Sequence, residues 1–175
     1  MLTRCKSQVA TAALLFGIMA ATVGATSPMP TFDQRLLVAQ NRERASLDLP
    51  PLSWSNQLAQ GAHQWADYLR ESGRFQHSPD LPGGPRIGEN IWGGTHASFS
   101  PEEMVGAWIA EKKHFTLAVF PMNSSTGKIE DVSHYTQIIW RTSAHVGCYL
   151  SEGTNEDILV CRYSEAGNIM GGRPI

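Results

Sequence analysis

Apolar residues recur along the chain with two different periods, one typical of helices and one typical of strands. Helical spacing runs through four segments, which are Thr31 to about Arg44, Ser55–Ser72, a stretch that begins at Ser100, and His134–Trp140. Short apolar runs bounded by glycine or polar residues predict three strands, at 87–94, 146–150 and 157–163. With 175 residues the chain suits one domain and is long enough to bury a core.

The first three helices also carry end signals. Thr31 and Gln34 have the spacing of a capping box, in which each side chain satisfies a free backbone amide of the first turn. Ser100, followed by proline and then by Glu103, is the clearest helix start in the chain. Gly73 is expected to end the second helix, because glycine adopts the left-handed conformation that stops a helix.

Three ionisable residues interrupt faces that are otherwise apolar. Glu89 shares one face of its strand with two isoleucines, and Glu111 lies in line with Trp108 on the third helix. Glutamate is almost never fully buried unless it is paired, so a histidine from elsewhere is the expected partner of Glu111. His134 lies on the apolar side of the short fourth helix. Taken alone, it is either a hydrogen-bonded core imidazole or a catalytic or metal-binding group.

The first 25 residues have the composition of a secretory signal peptide. Arg4 and Lys6 precede an uncharged, mostly apolar run that ends in Val23-Gly24-Ala25, so cleavage is predicted after Ala25. The run is short and interrupted, and no later segment is apolar enough to form a transmembrane helix. We therefore expect a secreted, extracellular protein, or a periplasmic one if the source is a Gram-negative bacterium, with a linker at 26–31.

Cleavage also changes the charge of the chain. It removes Arg4 and Lys6 from the 14 basic residues and leaves all 16 acidic residues, so the formal net charge falls from −2 to −4. No cluster of lysine or arginine remains in the mature sequence. This composition argues against nucleic acid or an anionic membrane as the main partner.

Two cysteines remain after cleavage, because Cys5 lies in the signal peptide. An even number of cysteines in an oxidising compartment favours a disulfide. The last two predicted strands form a hairpin, and pairing Leu150 with Leu159 places Cys148 opposite Cys161. A disulfide between Cys148 and Cys161 is therefore predicted across the hairpin.

The order of several motifs resembles that of the CAP superfamily, which groups cysteine-rich secretory proteins, insect venom allergens and plant pathogenesis-related proteins. His134–Trp140 (HYTQIIW) looks like the first family signature, and Leu159–Tyr163 followed by Gly167-Asn168 looks like the second. Three shorter motifs also occur in the expected order: Pro51–Trp54, Gly88–Ile91, and Trp108 with Glu111. Together these motifs span nearly the whole mature chain, from about Thr31 to Ile169.

The resemblance implies a fold and a domain organisation. The family fold is α+β, a three-layer α-β-α sandwich with a small, mostly antiparallel sheet. The four predicted helices and three predicted strands agree with it. The implied CAP (SCP) domain covers 32–170, and a tail at 171–175 follows it.

The resemblance also implies a site and a function. The family carries a cavity formed by two histidines and two glutamates, matched here by His77, Glu89, Glu111 and His134. Some relatives bind a divalent metal such as Zn²⁺ through the histidines, so His77 and His134 are the implied metal ligands. The implied function is a non-enzymatic binding module in defence or host interaction. A metal-dependent or His/Glu-based hydrolase and a purely structural polar network are the alternatives.

A lipid ligand is a further implication of the resemblance. Several branches of the family bind a sterol or fatty acid, some through the loop before the first signature, here 116–132. Phe120 and Met122 are the candidate apolar contacts, and the alternative is that the loop's apolar residues tuck into the core. An extracellular protein is the other candidate partner. In the same loop, Asn123 begins a match to the N-glycosylation pattern.

Overall fold

A computed structural model of the chain describes residues 29–79 and 83–175. The predicted signal peptide and the first residues of the predicted linker lie outside these ranges. The cleavage site and the domain boundaries therefore stay predictions. No helix within the two ranges is long and apolar enough to cross a membrane.

The described residues form four α-helices and four strands. The helices are α1 (Phe32–Ala45), α2 (Asn56–Ser72), α3 (Pro101–Ile109) and α4 (Ser133–Ile138). The strands are β1 (Ser53–Trp54), β2 (Gly88–Thr95), β3 (His145–Ser151) and β4 (Glu156–Ser164). Two 3-10 helices, Ala110–His114 and Ile129–Asp131, follow α3 and precede α4. All predicted elements are present. Strand β1 is an addition, because two residues show no periodicity that a sequence pattern could reveal.

The predicted end signals act as helix caps. Thr31 and Gln34 form a capping box at the start of α1, and Ser100 and Glu103 form another at the start of α3. Gly73 ends α2 with a φ of 65°, in the left-handed region that favours glycine. These local signals place the helix ends within a residue or two of their predicted positions.

The sheet is mixed, with strand order β1-β3-β4-β2. Strand β4 pairs antiparallel with β2 and β3, and the short β1 adds a parallel pair to β3. Leu150 pairs with Leu159 and Cys148 lies directly opposite Cys161, as predicted. A disulfide joins the two cysteines across Cα atoms 4.0 Å apart, and both residues are buried. The disulfide therefore links the two central strands from inside the core.

Two helical layers cover the sheet, and each layer has its own apolar core. Helix α2 covers one face, where Ala62 packs in a cluster with Val160. Helices α1, α3 and α4 cover the other face and contribute Leu36, Trp108 and Ile138 to a larger cluster. The predicted α+β class and three-layer α-β-α sandwich are confirmed.

Helix α1 buries polar side chains beside its predicted apolar stripe. The sequence pattern placed Phe32, Leu36 and Ala39 toward the core, and of these Leu36 is fully buried. Gln40 and Arg44 continue the buried line one and two turns further along the helix. The apolar residues in the sequence therefore identify the buried face of α1, but they do not identify every residue that is buried on it.

The buried guanidinium of Arg44 donates only to backbone carbonyls. Its Nη1 lies 2.8 Å from the carbonyl oxygens of both Ile138 and Trp140. Its Nε donates to Pro50 O at 2.8 Å and its Nη2 to Ser143 O at 3.1 Å. One side chain of α1 thus fixes the C-terminal end of α4 and the turn that follows it.

Candidate functional site

The four predicted site residues form two histidine–glutamate pairs. His77 Nδ1 lies 2.9 Å from Glu89 Oε1, and His134 Nδ1 lies 2.6 Å from Glu111 Oε1. The expectation that a distant histidine pairs with Glu111 is confirmed. A carboxylate can only accept, so each Nδ1 carries the proton and each neutral ring has its lone pair on Nε2. No residue in the described part of the chain hydrogen-bonds to either Nε2.

Glu89 is an engaged and ionised carboxylate on β2. Its side chain is only 6% exposed. It accepts from the Ser78 amide at 2.9 Å, the Ser78 hydroxyl at 2.8 Å and Arg162 Nε at 3.3 Å. Burial raises the pKa of Glu89, but the hydrogen bonds from His77 and Ser78 and the charge of Arg162 outweigh it, so the pKa lies below its usual value. Glu89 therefore stays charged and holds the His77 ring.

Glu111 holds His134 and also caps the helix that carries it. The α-helical part of this segment ends at Ile109, so Glu111 lies in the 3-10 helix Ala110–His114 and not on the continuous helix that the sequence pattern predicted. Its Oε2 accepts from the backbone amides of His134 and Tyr135, each at 3.0 Å. The residue at the N-cap position of α4, Val132, provides no side-chain cap. Glu111 supplies that cap from another element.

The two pairs approach strand β2, at the end of the strand order, from different layers. Glu89 shares a face of β2 with Ile91, which packs in the α2 cluster. Asn90 faces the other side, where its Nδ2 donates to the carbonyl of His134 at 3.0 Å. Within residues 29–79 and 83–175, no three His, Cys, Asp or Glu side chains lie close enough together to hold a metal ion. The structure therefore brings the four residues together as two pairs and not as one cluster.

The residue types suit a divalent cation, and their arrangement limits how one can be held. Neutral imidazole is a good ligand for Zn²⁺, and a carboxylate on the other ring nitrogen is its usual support. Both rings reach solvent, with the His77 side chain 63% exposed and the His134 side chain 28% exposed. The residues fit an ion held through Nε2 of these histidines. In the described part of the chain they do not fit a closed centre of three or more protein ligands.

A cleft of about 600 Å³ opens beside one of the pairs, at the end of the sheet. Of the four predicted site residues, His77 and Glu89 line it, together with Trp65 from α2 and Arg162 from β4. The amide of Gln137 forms part of the wall and is fixed by accepting from the Gly167 amide at 2.9 Å. Sequence reasoning missed this cleft, because Trp65 reads as one more member of the α2 stripe.

The two candidate lipid-contact residues, Phe120 and Met122, differ in their exposure to solvent. Met122 is 73% exposed, as predicted, but Phe120 is 4% exposed, so its assignment to the surface was wrong. The Phe120 ring packs edge-to-face on Trp140, with ring centroids 6.3 Å apart. Its amide donates to Gly172 O at 2.7 Å, and the amide of Gly171 donates back to Phe120 O at 2.8 Å. The C-terminal tail therefore covers Phe120, which no local pattern around it reveals.

The matched glycosylation pattern lies in the same loop. Asn123 is fully buried, so its amide is out of reach of a glycan in the folded domain. The pattern match at Asn123 therefore does not mark a usable acceptor once the chain has folded.

Comparison with known proteins agrees with the fold and the motifs. The model of the CAP, or cysteine-rich secretory protein, family matches residues 37–163. Pathogenesis-related protein PRMS of Zea mays is 33% identical over 168 residues, 92% of this chain and 93% of the relative. Venom allergen 5 of Vespa velutina is 35% identical over 138 residues, 71% of this chain and 60% of the relative.

Solved structures show the same fold. The crystal structure of NaASP2 with Zn²⁺ has a TM-score of 0.67 at 22% identity, over 81% of this chain and 83% of that chain. Na-ASP-1 has a TM-score of 0.68 at 19% identity, over 89% of this chain and 44% of that chain. With the family model matching most of the sequence, the chain belongs to the cysteine-rich secretory protein (CAP) family.

Proposed function

We propose that this chain is a secreted, non-enzymatic binding protein that acts in defence or host interaction. The predicted signal peptide supports secretion, and the named relatives, a pathogenesis-related protein and a venom allergen, support the defence or host-interaction role. The periplasmic alternative gains no support from these relatives, which come from a plant and a wasp.

The state of the two carboxylates argues against either glutamate as the general base of a hydrolase. Glu89 accepts four hydrogen bonds and Glu111 accepts three, all from the protein itself. A general base needs an oxygen or nitrogen within reach of the substrate proton that it removes. These carboxylates instead act as anchors for two imidazole rings. The hydrolase alternative requires turnover that disappears in a correctly folded Glu111→Gln variant.

We assign a divalent cation, Zn²⁺ or a similar ion, to the two histidines. The observation that carries this assignment is common to both pairs: a carboxylate takes Nδ1 and leaves the Nε2 lone pair for a ligand. His77 and His134 would hold the ion, while Glu89 and Glu111 would fix the rings. A bound cation would present positive charge to an anionic or carbonyl-bearing ligand.

Calorimetric titration with Zn²⁺ tests the assignment. We expect saturable binding that is lost in the His77→Ala/His134→Ala double variant and that weakens as the pH is lowered, because a protonated imidazole has no lone pair for the metal. His145→Ala is the matched control, since His145 is an exposed histidine outside both pairs. Unchanged affinity in the double variant would show that the ion binds elsewhere.

A second candidate function is binding of a sterol or fatty acid. Hydrogen bonds between Phe120 and the C-terminal tail hold the loop and the tail segment together. Both segments expose apolar side chains next to this contact. We call this the loop–tail surface; its members are Leu117, Val119, Met122, Ile169 and Met170. Adjacent exposed apolar residues of this kind mark a site of lipid or protein contact. The loop–tail surface replaces the original pair, because Phe120 is buried.

Substitution separates lipid contact from folding in this loop. We expect Leu117→Ser/Met122→Ser to weaken binding of a fluorescent sterol or fatty acid at least about tenfold and to leave stability nearly unchanged. Phe120→Ser should instead lower the free energy of unfolding by about 3–5 kcal/mol, because it empties a buried aromatic site. Val38→Ser, which alters an exposed apolar residue on α1, is the control. Absence of saturable binding of either lipid class by the unaltered protein would reject the lipid function.

A further inference from the structure

We propose that the cleft at the end of the sheet is a saccharide site, and that it recognises a short acidic oligosaccharide built from uronic acids. The ligand differs from the cation and the lipid considered above. The site shares only His77 and Glu89 with the cation assignment, as members of the cleft wall. The inference therefore goes beyond the proposed function and does not require a bound metal.

The aromatic part of the cleft wall is already fixed in place. The indole Nε1 of Trp65 donates to the carbonyl of Gln76 at 3.1 Å. The Trp65 ring also stacks on Tyr68, with centroids 4.8 Å apart and an interplanar angle of 25°. Pyranose rings carry a flat face of C–H groups, which packs on aromatic rings of this kind. A ring that is oriented before the ligand arrives loses little conformational freedom on binding.

Polar side chains with spare hydrogen-bonding capacity surround this aromatic wall. The side chains of Gln64 and Arg86 line the cleft and make no hydrogen bond to any residue that the structure describes. Arg162 uses Nε for Glu89, and its two terminal nitrogens have no partner among the described residues. Planar amide and guanidinium groups offer paired donors, the arrangement that matches neighbouring hydroxyls and carboxylates.

Charge in the cleft favours an acidic sugar over a neutral one. The negative charge of Glu89 is offset by Arg162, and its oxygens are occupied by hydrogen bonds from His77, Ser78 and Arg162. Arg86 adds a second guanidinium that makes no ion pair with a described residue. The cleft volume of about 600 Å³ lies within the usual range for small-molecule sites. A uronate combines the ring face, the hydroxyls and the carboxylate that these groups would bind.

Calorimetric titration of the secreted protein with trigalacturonate is the test. A chelator is present throughout, so that a metal ion does not bridge the protein and the uronate. We expect saturable binding of trigalacturonate, at least about tenfold weaker binding of its methyl ester, and no saturable binding of citrate. The ester keeps the rings and loses the charge, while citrate keeps the charge and lacks the rings. Citrate binding as tight as that of trigalacturonate would reveal a simple anion site and overturn the proposal.

Cleft variants then locate the ligand. Trp65→Leu should weaken trigalacturonate binding at least about tenfold, whereas Trp65→Phe, which keeps an aromatic ring, should retain most of it. Arg86→Gln and Arg162→Gln should reduce the difference in affinity between trigalacturonate and its methyl ester. Arg86 is exposed, so its replacement should not disturb the fold. Arg141→Gln is the control, since Arg141 is exposed and lies outside the cleft. No binding by the unaltered protein, or unchanged binding by Trp65→Leu, would overturn the proposal, whatever the Zn²⁺ titration shows.

Discussion

Replacing Arg44 with methionine is expected to lower the free energy of unfolding by about 3–5 kcal/mol, a large part of the total stability of a domain of this size. The Arg44 side chain is fully buried and donates to five backbone carbonyls, those of Pro50, Ile138, Trp140, Arg141 and Ser143. Methionine fills similar space but donates nothing, so these carbonyl oxygens lose the guanidinium donors, although Trp140 O still accepts from the Ser143 amide at 3.1 Å. A buried acceptor without a partner costs about 1–3 kcal/mol.

The backbone partners make this position different from a buried ion pair. An ion pair can be replaced on both sides by apolar residues at little cost. The partners of Arg44 are main-chain oxygens, and no substitution removes them. Desolvation lowers the pKa of the Arg44 guanidinium, yet a guanidinium titrates so high that it stays charged and keeps all its donors. No compensating side-chain replacement is therefore available.

Urea unfolding followed by tryptophan fluorescence measures the effect. Arg42→Met is the matched control, because Arg42 is an exposed residue of the same helix and should change stability by less than about 0.5 kcal/mol. Arg44→Lys keeps the charge but has fewer N–H donors, and they point in different directions. We therefore expect an intermediate loss in the free energy of unfolding. If the free energy of unfolding of Arg44→Met lies within about 1 kcal/mol of that of the unaltered protein, then the carbonyls have found other donors.

The sequence predicted what depends on neighbouring residues. Helix caps such as Ser100 and the facing positions of Cys148 and Cys161 follow from local spacing, and the structure confirms them. The role of Arg44 depends on carbonyls about ninety residues further along the chain. An arginine near the end of a helix resembles an ordinary solvated residue until that distant turn is in place. The burial of Phe120 by the C-terminal tail had no local signal for the same reason.

In the candidate site, too, the features that depend on neighbouring residues were predicted and those that depend on distant packing were not. The motifs identified all four residues, and the need of a buried-looking glutamate for a partner predicted the contact between Glu111 and His134. They did not show that Glu89 faces the layer of α2 whereas His134 belongs to the layer of α4. That separation follows from which face of β2 meets α2, and packing decides it. The alternation along the strand gave two faces but not the layer that each one contacts.

The second large effect is expected at Glu111, where one carboxylate serves a helix and a histidine. Glu111→Ala should lower the free energy of unfolding by about 2–4 kcal/mol, because it leaves the amides of His134 and Tyr135 without their acceptor and removes the negative charge at the start of α4. Glu111→Gln should lower the free energy of unfolding by only about 1–2 kcal/mol, because the glutamine amide oxygen still caps the helix although the negative charge is gone. Glu130→Gln, an exposed position just before α4, is the control.

Glu111→Gln also separates the role of the carboxylate in folding from its role at the imidazole. With the glutamine oxygen on the backbone amides, its NH₂ group faces His134 Nδ1, which must then accept. The ring proton moves to Nε2, and the lone pair proposed to bind the cation is lost. We therefore expect the Zn²⁺ affinity of Glu111→Gln to fall about 10–100-fold in a protein that still folds. The nitrogen chemical shifts of His134 report the change of tautomer directly. If the ring keeps its proton on Nδ1 while His134→Ala removes Zn²⁺ binding, then Glu111 caps the helix but does not set the imidazole for the metal.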